Sequence, residues 1–178
     1  MKTIILNPSH TKYIEQINNI LTEAFEEGRP GKWLKDIEKS FNKDRISIAA
    51  IDNMDNAVGW IGGISQYGGN VWELHPLAVK KEYRANGIGS MLVRKFETEV
   101  SERGGLTIWL GTDDENNATS LSNTDLYENT YDKMRDIVNH NRHPFEFYKK
   151  LGYTIVSVMP DANGIGKPDI YMAKRVEK

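Results

Sequence analysis

Apolar residues recur at two spacings along this chain, and the switches between them outline a mixed fold. From Thr11 to Phe25, the residues Ile14, Ile17, Leu21, Ala24 and Phe25 follow the period of a helix with one buried face. The short apolar run Thr3–Leu6 before it predicts a first strand, and Asn7-Pro8-Ser9 a turn. Gly28, Pro30 and Gly31 end the helix. A second helix is predicted over 32–41, with Trp33, Leu34, Ile37 and Phe41 on one face. Ile46–Asp52, Ala57–Gln66 and Val71–Val79 read as strands joined by turns at 53–56 and 67–70, the first two as an antiparallel pair. A long helix follows, with Ile88, Met91, Leu92, Phe96 and Val100 inward, and ends at Gly104-Gly105. Leu106–Gly111 reads as a strand with a continuous apolar stretch, as expected of a buried central position. The segment 112–142 is polar, with helical character around 126–138. Pro144–Leu151 predicts a short helix stopped by Gly152. Tyr153–Met159 and Asp169–Lys174 close the chain as two strands joined through 162–168. The order β-α-α-β-β-β-α-β-α-β-β predicts the α/β (α+β) class, with one central mixed, mostly antiparallel sheet and a single domain over 1–178.

Composition narrows the function. The 178 residues suit one domain with a real core. A net charge of −2 gives no footing for nucleic acid or a membrane surface. No run approaches the roughly 18 apolar residues of a membrane span. MKTIILNPSH is too weakly apolar for a signal peptide core, so a cytoplasmic location is expected. There is no cysteine, which excludes disulfides, thiolate metal sites and a cysteine acyl-enzyme. The four histidines show no metal-ligand spacing, and no metal is expected.

Two adjacent segments carry the chemistry. In Trp72-Glu73-Leu74-His75-Pro76-Leu77, strand alternation puts Glu73, His75 and Leu77 on one side and Trp72 and Leu74 on the other. Pro76 cannot donate to a sheet ladder, so a bulge or a break in pairing is expected there. A break would splay this strand from Leu106–Gly111 and free a backbone N–H such as that of Leu77 for a developing oxyanion. An amine nucleophile of pKa about 10.4 costs about 4–5 kcal/mol to deprotonate at pH 7. Glu73 is placed to hold the ammonium and accept its proton, with His75 as a second candidate. After the strand comes the loop Arg84-Ala85-Asn86-Gly87-Ile88-Gly89, which opens a helix. Its glycines allow close backbone approach, and the first-turn N–H groups at the positive end of the helix dipole suit a pyrophosphate. Arg84 adds a cation to the same anion. The spacing R-x-x-G-x-G is neither the dinucleotide fingerprint nor a Walker loop.

Further along, the segment from Asp113 to Arg142 holds seven carboxylates against three bases. Asp113, Asp114 and Glu115 directly follow the strand Leu106–Gly111, and an acidic lip there would attract a polycationic substrate.

The loop resembles the acyl-CoA pyrophosphate loop of the GCN5-related N-acetyltransferases, R/Q-x-x-G-x-G/A. WELHPL (72–77), GTDD (111–114), TDLYE (124–128), HPFEFYKKLGY (143–153) and KPDIYMAK (167–174) resemble, more narrowly, the chromosomal-type aminoglycoside 6′-N-acetyltransferases. The first 44 residues, which normally give one wall of the substrate site, match poorly. The resemblance implies direct transfer of acetyl from acetyl-CoA to a 6′-amine in a ternary complex, by a homodimer. It implies Glu73 and His75 for the substrate amine, with Trp72, Asp113 and Asp114 also lining the substrate. It implies the Leu77 backbone at the acetyl carbonyl and Tyr148 at the thiol. Leu77, Val79, Tyr148 and residues 84–89 would bind the cofactor. Other expected readings are an acetyltransferase for polyamines or protein amines, and a non-catalytic acyl-CoA-binding module.

Overall fold

The computed structural model describes residues 1–25 and 32–176. The stop expected at Gly28, Pro30 and Gly31 lies outside the described residues. Seven strands and five α-helices among them give the mixed α/β class that the order of elements predicts. None of these helices is long and apolar enough to cross a membrane.

The chain forms two compact units, one over 1–108 with the end of the chain from Val176, the other over 109–175. The first holds β1 (Lys2–Ile5), α1 (Thr11–Ala24), α2 (Lys32–Lys39), β2 (Arg45–Ile51), β3 (Ala57–Gln66), β4 (Val71–Val79) and α3 (Ile88–Glu102). β1 to β4 lie side by side in sequence order, each pair antiparallel. One face packs under α1 and α2, where Ile17, Ile20, Leu21, Trp33 and Ile37 meet Ala49, Ile51, Trp60 and Ala78. The other face meets α3. There Gly63 lies against Phe96, and Gly59 against Leu92 and Ile88. The inward stripe of α3 is Ile88, Leu92, Val93, Phe96 and Val100, with Val93 in place of the expected Met91. On α2, Leu34 is exposed although the spacing put it inward.

Pro76 produces a bulge, on the side facing β3. Leu74 pairs with Gly63 and Leu77 with Ile61, so three steps along β4 match two along β3. The His75-Pro76 pair, joined by a cis peptide bond, therefore opposes Gly62. A Cβ on Gly62 would lie 2.6 Å from the His75 carbonyl oxygen, so only glycine permits this approach. The extra residue also reverses side-chain parity. Trp72 and Leu74 face α3, while Glu73 and His75 face the α1/α2 side. Past the bulge, Leu77 pairs with α3-facing Ile61, and Ala78 joins the core under α1 and α2. The expectation that Glu73, His75 and Leu77 share one face is corrected by that inserted residue.

The second unit takes in most of β5 (Thr107–Asp113), then α4 (Thr130–Arg135), α5 (Phe145–Lys150), β6 (Thr154–Met159) and β7 (Asp169–Arg175). Its strands run in the order β5-β7-β6, and β6 and β7 form the expected antiparallel pair. Leu121, Leu126, Val158 and Ile170 form one buried cluster within it. β5 alternates rather than being buried throughout: Ile108, Leu110 and Thr112 are buried, Trp109 is half-buried and Gly111 is exposed. The helix expected around 126–138 shortens to α4, and Leu126 before it packs into the core instead.

Candidate active site

The bulge, β3 and α2 enclose a cavity of about 220 Å³. Trp33, Asp36 and Lys39 come from α2, Arg45 from β2, Trp60 and Ile64 from β3, and His75 and Pro76 from the bulge, with Asp36 3.6 Å from Lys39 Nζ. Its aromatic wall is pinned from behind. The Trp60 indole N–H donates to Ser47 Oγ at 2.9 Å, and Ser40 Oγ bonds the same hydroxyl at 2.9 Å. Glu73 stands on the same strand face as His75, one step from the cavity. Its Oε2 accepts a hydrogen bond from Gln66 Nε2 at 2.8 Å, which orients the carboxylate. Glu73 is half-buried and His75 exposed, so both are reachable from outside. An aromatic wall with an oriented carboxylate beside it suits an organic ammonium. Sequence reading did not find Trp33, Asp36 or Trp60 for this role. The signal for the first two was a Trp and an Asp three residues apart on one short helix.

Trp72 does not belong to this cavity. It is buried beside Val100 and Gly105 on the α3 side, and its indole N–H donates to the Gly69 carbonyl at 3.1 Å. The expected substrate contact is corrected to a packing role, because the side chain alternates away from Glu73.

Beyond β4 the chain makes a 3₁₀ turn, Lys81–Tyr83, and then the Gly-rich loop. Arg84, Ala85, Asn86 and Gly87 are exposed, while Ile88 is buried and anchors the start of α3. Ala85 has φ +62° and Gly87 φ +78°, so left-handed residues alternate with ordinary ones. At Gly87 the left-handed residue leads directly into the right-handed first turn of α3, a pairing that turns successive N–H groups toward one concavity, as in an anion nest. Gly87 is the N-cap of α3 and supplies no side-chain cap to the first-turn N–H groups. A Cβ built there meets nothing within 4 Å, so the space beside the loop is open. Arg84 Nε donates to the Val79 carbonyl at 2.9 Å, which ties the guanidinium back to the end of β4. These residues fit a pyrophosphate. Leu77 and Val79, both half-buried, precede the loop on the same strand.

In the second unit, the two adjacent aspartates divide their work. Asp113 is exposed, and its Oδ1 accepts from Asn163 Nδ2 at 2.6 Å. Asp114 is 1% exposed. Its carboxylate accepts from the Ala118 N–H at 2.7 Å, the Thr119 N–H at 2.8 Å and Ser122 Oγ at 2.6 Å. Burial alone would push Asp114 up, but these hydrogen bonds hold it below the usual carboxylate range. The expected substrate contact of Asp114 is corrected accordingly: it organises the loop after β5. The acidic lip is further thinned by Arg135, which pairs with Asp132 at 2.7 Å and Asp136 at 2.8 Å. His143 is buried; its Nε2 lies 3.2 Å from the Asp113 carbonyl, and its Nδ1 accepts from the Phe145 N–H at 3.3 Å. That pair assigns a neutral ring with the proton on Nε2, and burial lowers its pKa in the same sense. Tyr148, on α5, packs edge-on against Tyr153 at 5.7 Å, and burial raises its phenol pKa. It holds its proton at neutral pH.

With this geometry in view, comparison with known proteins is direct. The model of the acetyltransferase (GNAT) family matches residues 14–131. No curated protein sequence matches the chain. An aminoglycoside 6′-N-acetyltransferase solved with coenzyme A is 46% identical, with 100% of this chain and 98% of that one covered and a TM-score of 0.96. The aminoglycoside 6′-N-acetyltransferase from Enterococcus faecium is 46% identical over the same shares, with a TM-score of 0.95. An aminoglycoside 6′-acetyltransferase type Ii is 39% identical, with 100% and 99% covered and a TM-score of 0.79. The chain belongs to the GNAT acetyltransferase family.

Proposed function

We propose that this acetyltransferase, as one domain over residues 1–178, moves the acetyl group of acetyl-CoA onto the 6′-amine of an aminoglycoside. The observation that carries the reading is the Glu73 carboxylate, fixed by Gln66 beside a cavity walled by Trp33, Trp60 and Asp36. The activities named for the relatives of 39–46% identity support the same acceptor class.

Acetyl-CoA supplies the activated thioester. The Ala85–Gly89 backbone and Arg84 hold its pyrophosphate. Asp36 and the two tryptophans receive the cationic acceptor. Glu73 orients the 6′-ammonium and takes its proton directly or through water, with His75 as the alternative base. The amine nitrogen then bonds the acetyl carbon and the C–S bond breaks, with the Leu77 N–H donating to the carbonyl oxygen. Tyr148, a phenol that burial keeps protonated, is proposed to give its proton to the departing thiolate and to be reprotonated by the second proton that the new amide nitrogen releases. Asp113 is proposed as a further contact for the acceptor's charge. The absence of cysteine supports direct transfer without an acyl-enzyme.

The proposal includes a cytoplasmic homodimer. Val156 and Met159, exposed on β6, give an apolar surface for a second copy. Acetyl transfer to a kanamycin-type drug, to spermidine and to a Lys peptide tests the acceptor. The drug is expected to give the highest kcat/KM, with a single 6′-N-acetyl product by NMR. A drug rate at background sinks the reading.

A further inference from the structure

We propose that Tyr83 is a positioning residue for the pyrophosphate of acetyl-CoA, acting through Asp52 on the loop that follows it; the inference rests on the reading of residues 84–89 given above. The last backbone tie between β4's end and β3 is the Lys80 N–H to the Val58 carbonyl, at 2.9 Å. Beyond it the chain leaves the sheet, and Arg84 to Gly87 are exposed until Ile88 enters the core. Such a segment has few contacts to fix its N–H groups, so each tie at its entrance counts.

Tyr83 supplies the tie that reaches furthest. Its hydroxyl donates to Asp52 Oδ2 at 2.9 Å. Asp52 is itself held by the β2–β3 turn. It is 9% exposed at the end of β2, and its Oδ1 accepts the N–H groups of Met54 and Asn56, each at 2.9 Å. One carboxylate thus joins the β2–β3 turn to the 3₁₀ turn that launches the loop. Hydrogen bonds from the Asn56 and Met54 backbone and from Tyr83 hold Asp52 below the usual carboxylate range, so it stays ionised as acceptor across neutral pH.

Neither residue lies in the Gly-rich motif. Removing the hydroxyl leaves the nest chemically intact but lowers the fraction of molecules whose N–H groups converge. An affinity gated by a competent fraction weakens by that fraction. Losing one charge-assisted hydrogen bond predicts a loss of about fivefold or more.

The test compares acetyl-CoA with S-acetylpantetheine, which lacks the pyrophosphate. In Tyr83→Phe, KM and the calorimetric Kd for acetyl-CoA should rise about fivefold, with kcat at saturation within twofold of the parent and kinetics with S-acetylpantetheine unchanged. In an Asp52→Ala background, Tyr83→Phe should add no further loss, because the hydroxyl has no acceptor left to lose. Asp52→Asn, which keeps a hydrogen bond to the Tyr83 oxygen but not its charge, should lose less than Tyr83→Phe. Equal losses with both donors, or no loss with either, overturn the inference. A parent protein that binds both donors equally well would instead overturn the pyrophosphate reading itself.

Discussion

Glu73 illustrates how little a single side chain needs in order to be poised for acid–base work. Its neighbours are a strand, one amide donor and an aromatic cavity, and the Gln66 bond fixes which oxygen remains free to face a ligand. An ammonium brought beside that oxygen gains an ion pair and a proton acceptor together. Glu73→Ala should therefore lower kcat/KM for aminoglycosides by at least about tenfold, or about 1.4 kcal/mol. The thermal midpoint should hardly move, because the residue is half-buried and its carboxylate bonds a side-chain amide that water can replace. Unchanged kinetics would remove Glu73 from the mechanism and leave His75 as the base. Asp114 is the contrast at the same scale, a buried carboxylate whose three donors come from its own loop.

Elements explain why some of this was legible in the chain and some was not. The turns at 53–56 and 67–70 placed β3 and β4 at their observed bounds, although β3 is buried on both faces over 57–63 and shows no alternation. Pro76 announced a fault in β4, since a missing N–H must interrupt a ladder. The direction of the fault was not legible: whether the extra residue falls on β4 or β3 depends on Gly62 yielding to the His75 carbonyl. That choice decides the face on which Leu77 lies. The meeting of Trp33 and Asp36 with His75 was hidden for another reason, as it joins residues about forty positions apart through two elements. The two aspartates 113 and 114 look alike in sequence, and Ser122 eight residues later separates their roles. The Gly-rich loop was legible because its requirement is local. Gly87 sits at φ +78°, where a β-branched residue is strained by about 1–2 kcal/mol. Gly87→Val should weaken acetyl-CoA binding about tenfold and aminoglycoside binding less than twofold, measured by calorimetry with each ligand alone. Equal losses would count against the loop as an anion site.

Across the whole molecule, the shifted groups set a window of pH stability. His143 is depressed by burial below its ordinary 6.5, although the nearby Asp113 and Asp114 work the other way. The unfolded chain therefore binds this proton first. Stability from His143 is complete above about pH 6.5 and is lost as pH falls toward its folded pKa. Asp52, Asp55, Asp114 and Asp136 are also depressed, from 3.8, by hydrogen bonds that outweigh any burial. Their contribution is complete above about pH 4 and disappears below it. At the alkaline end Tyr13 and Tyr83 are raised by their bonds to Asp55 and Asp52, and Tyr148 by burial, so their neutral forms favour the fold until about pH 10. A plateau between about pH 6.5 and 10 follows, with a shallow decline to pH 4 and a steep one below. Urea midpoints measured from pH 3 to 10 should trace this shape. The first decline belongs to one residue, so His143→Gln should flatten the stretch between pH 6.5 and 4.5 while keeping the steep fall, even if it lowers the whole curve. If the parent midpoint does not change between pH 7 and 5, the neutral buried histidine is the wrong account. If the variant keeps the parent's slope there, some other group is taking the proton.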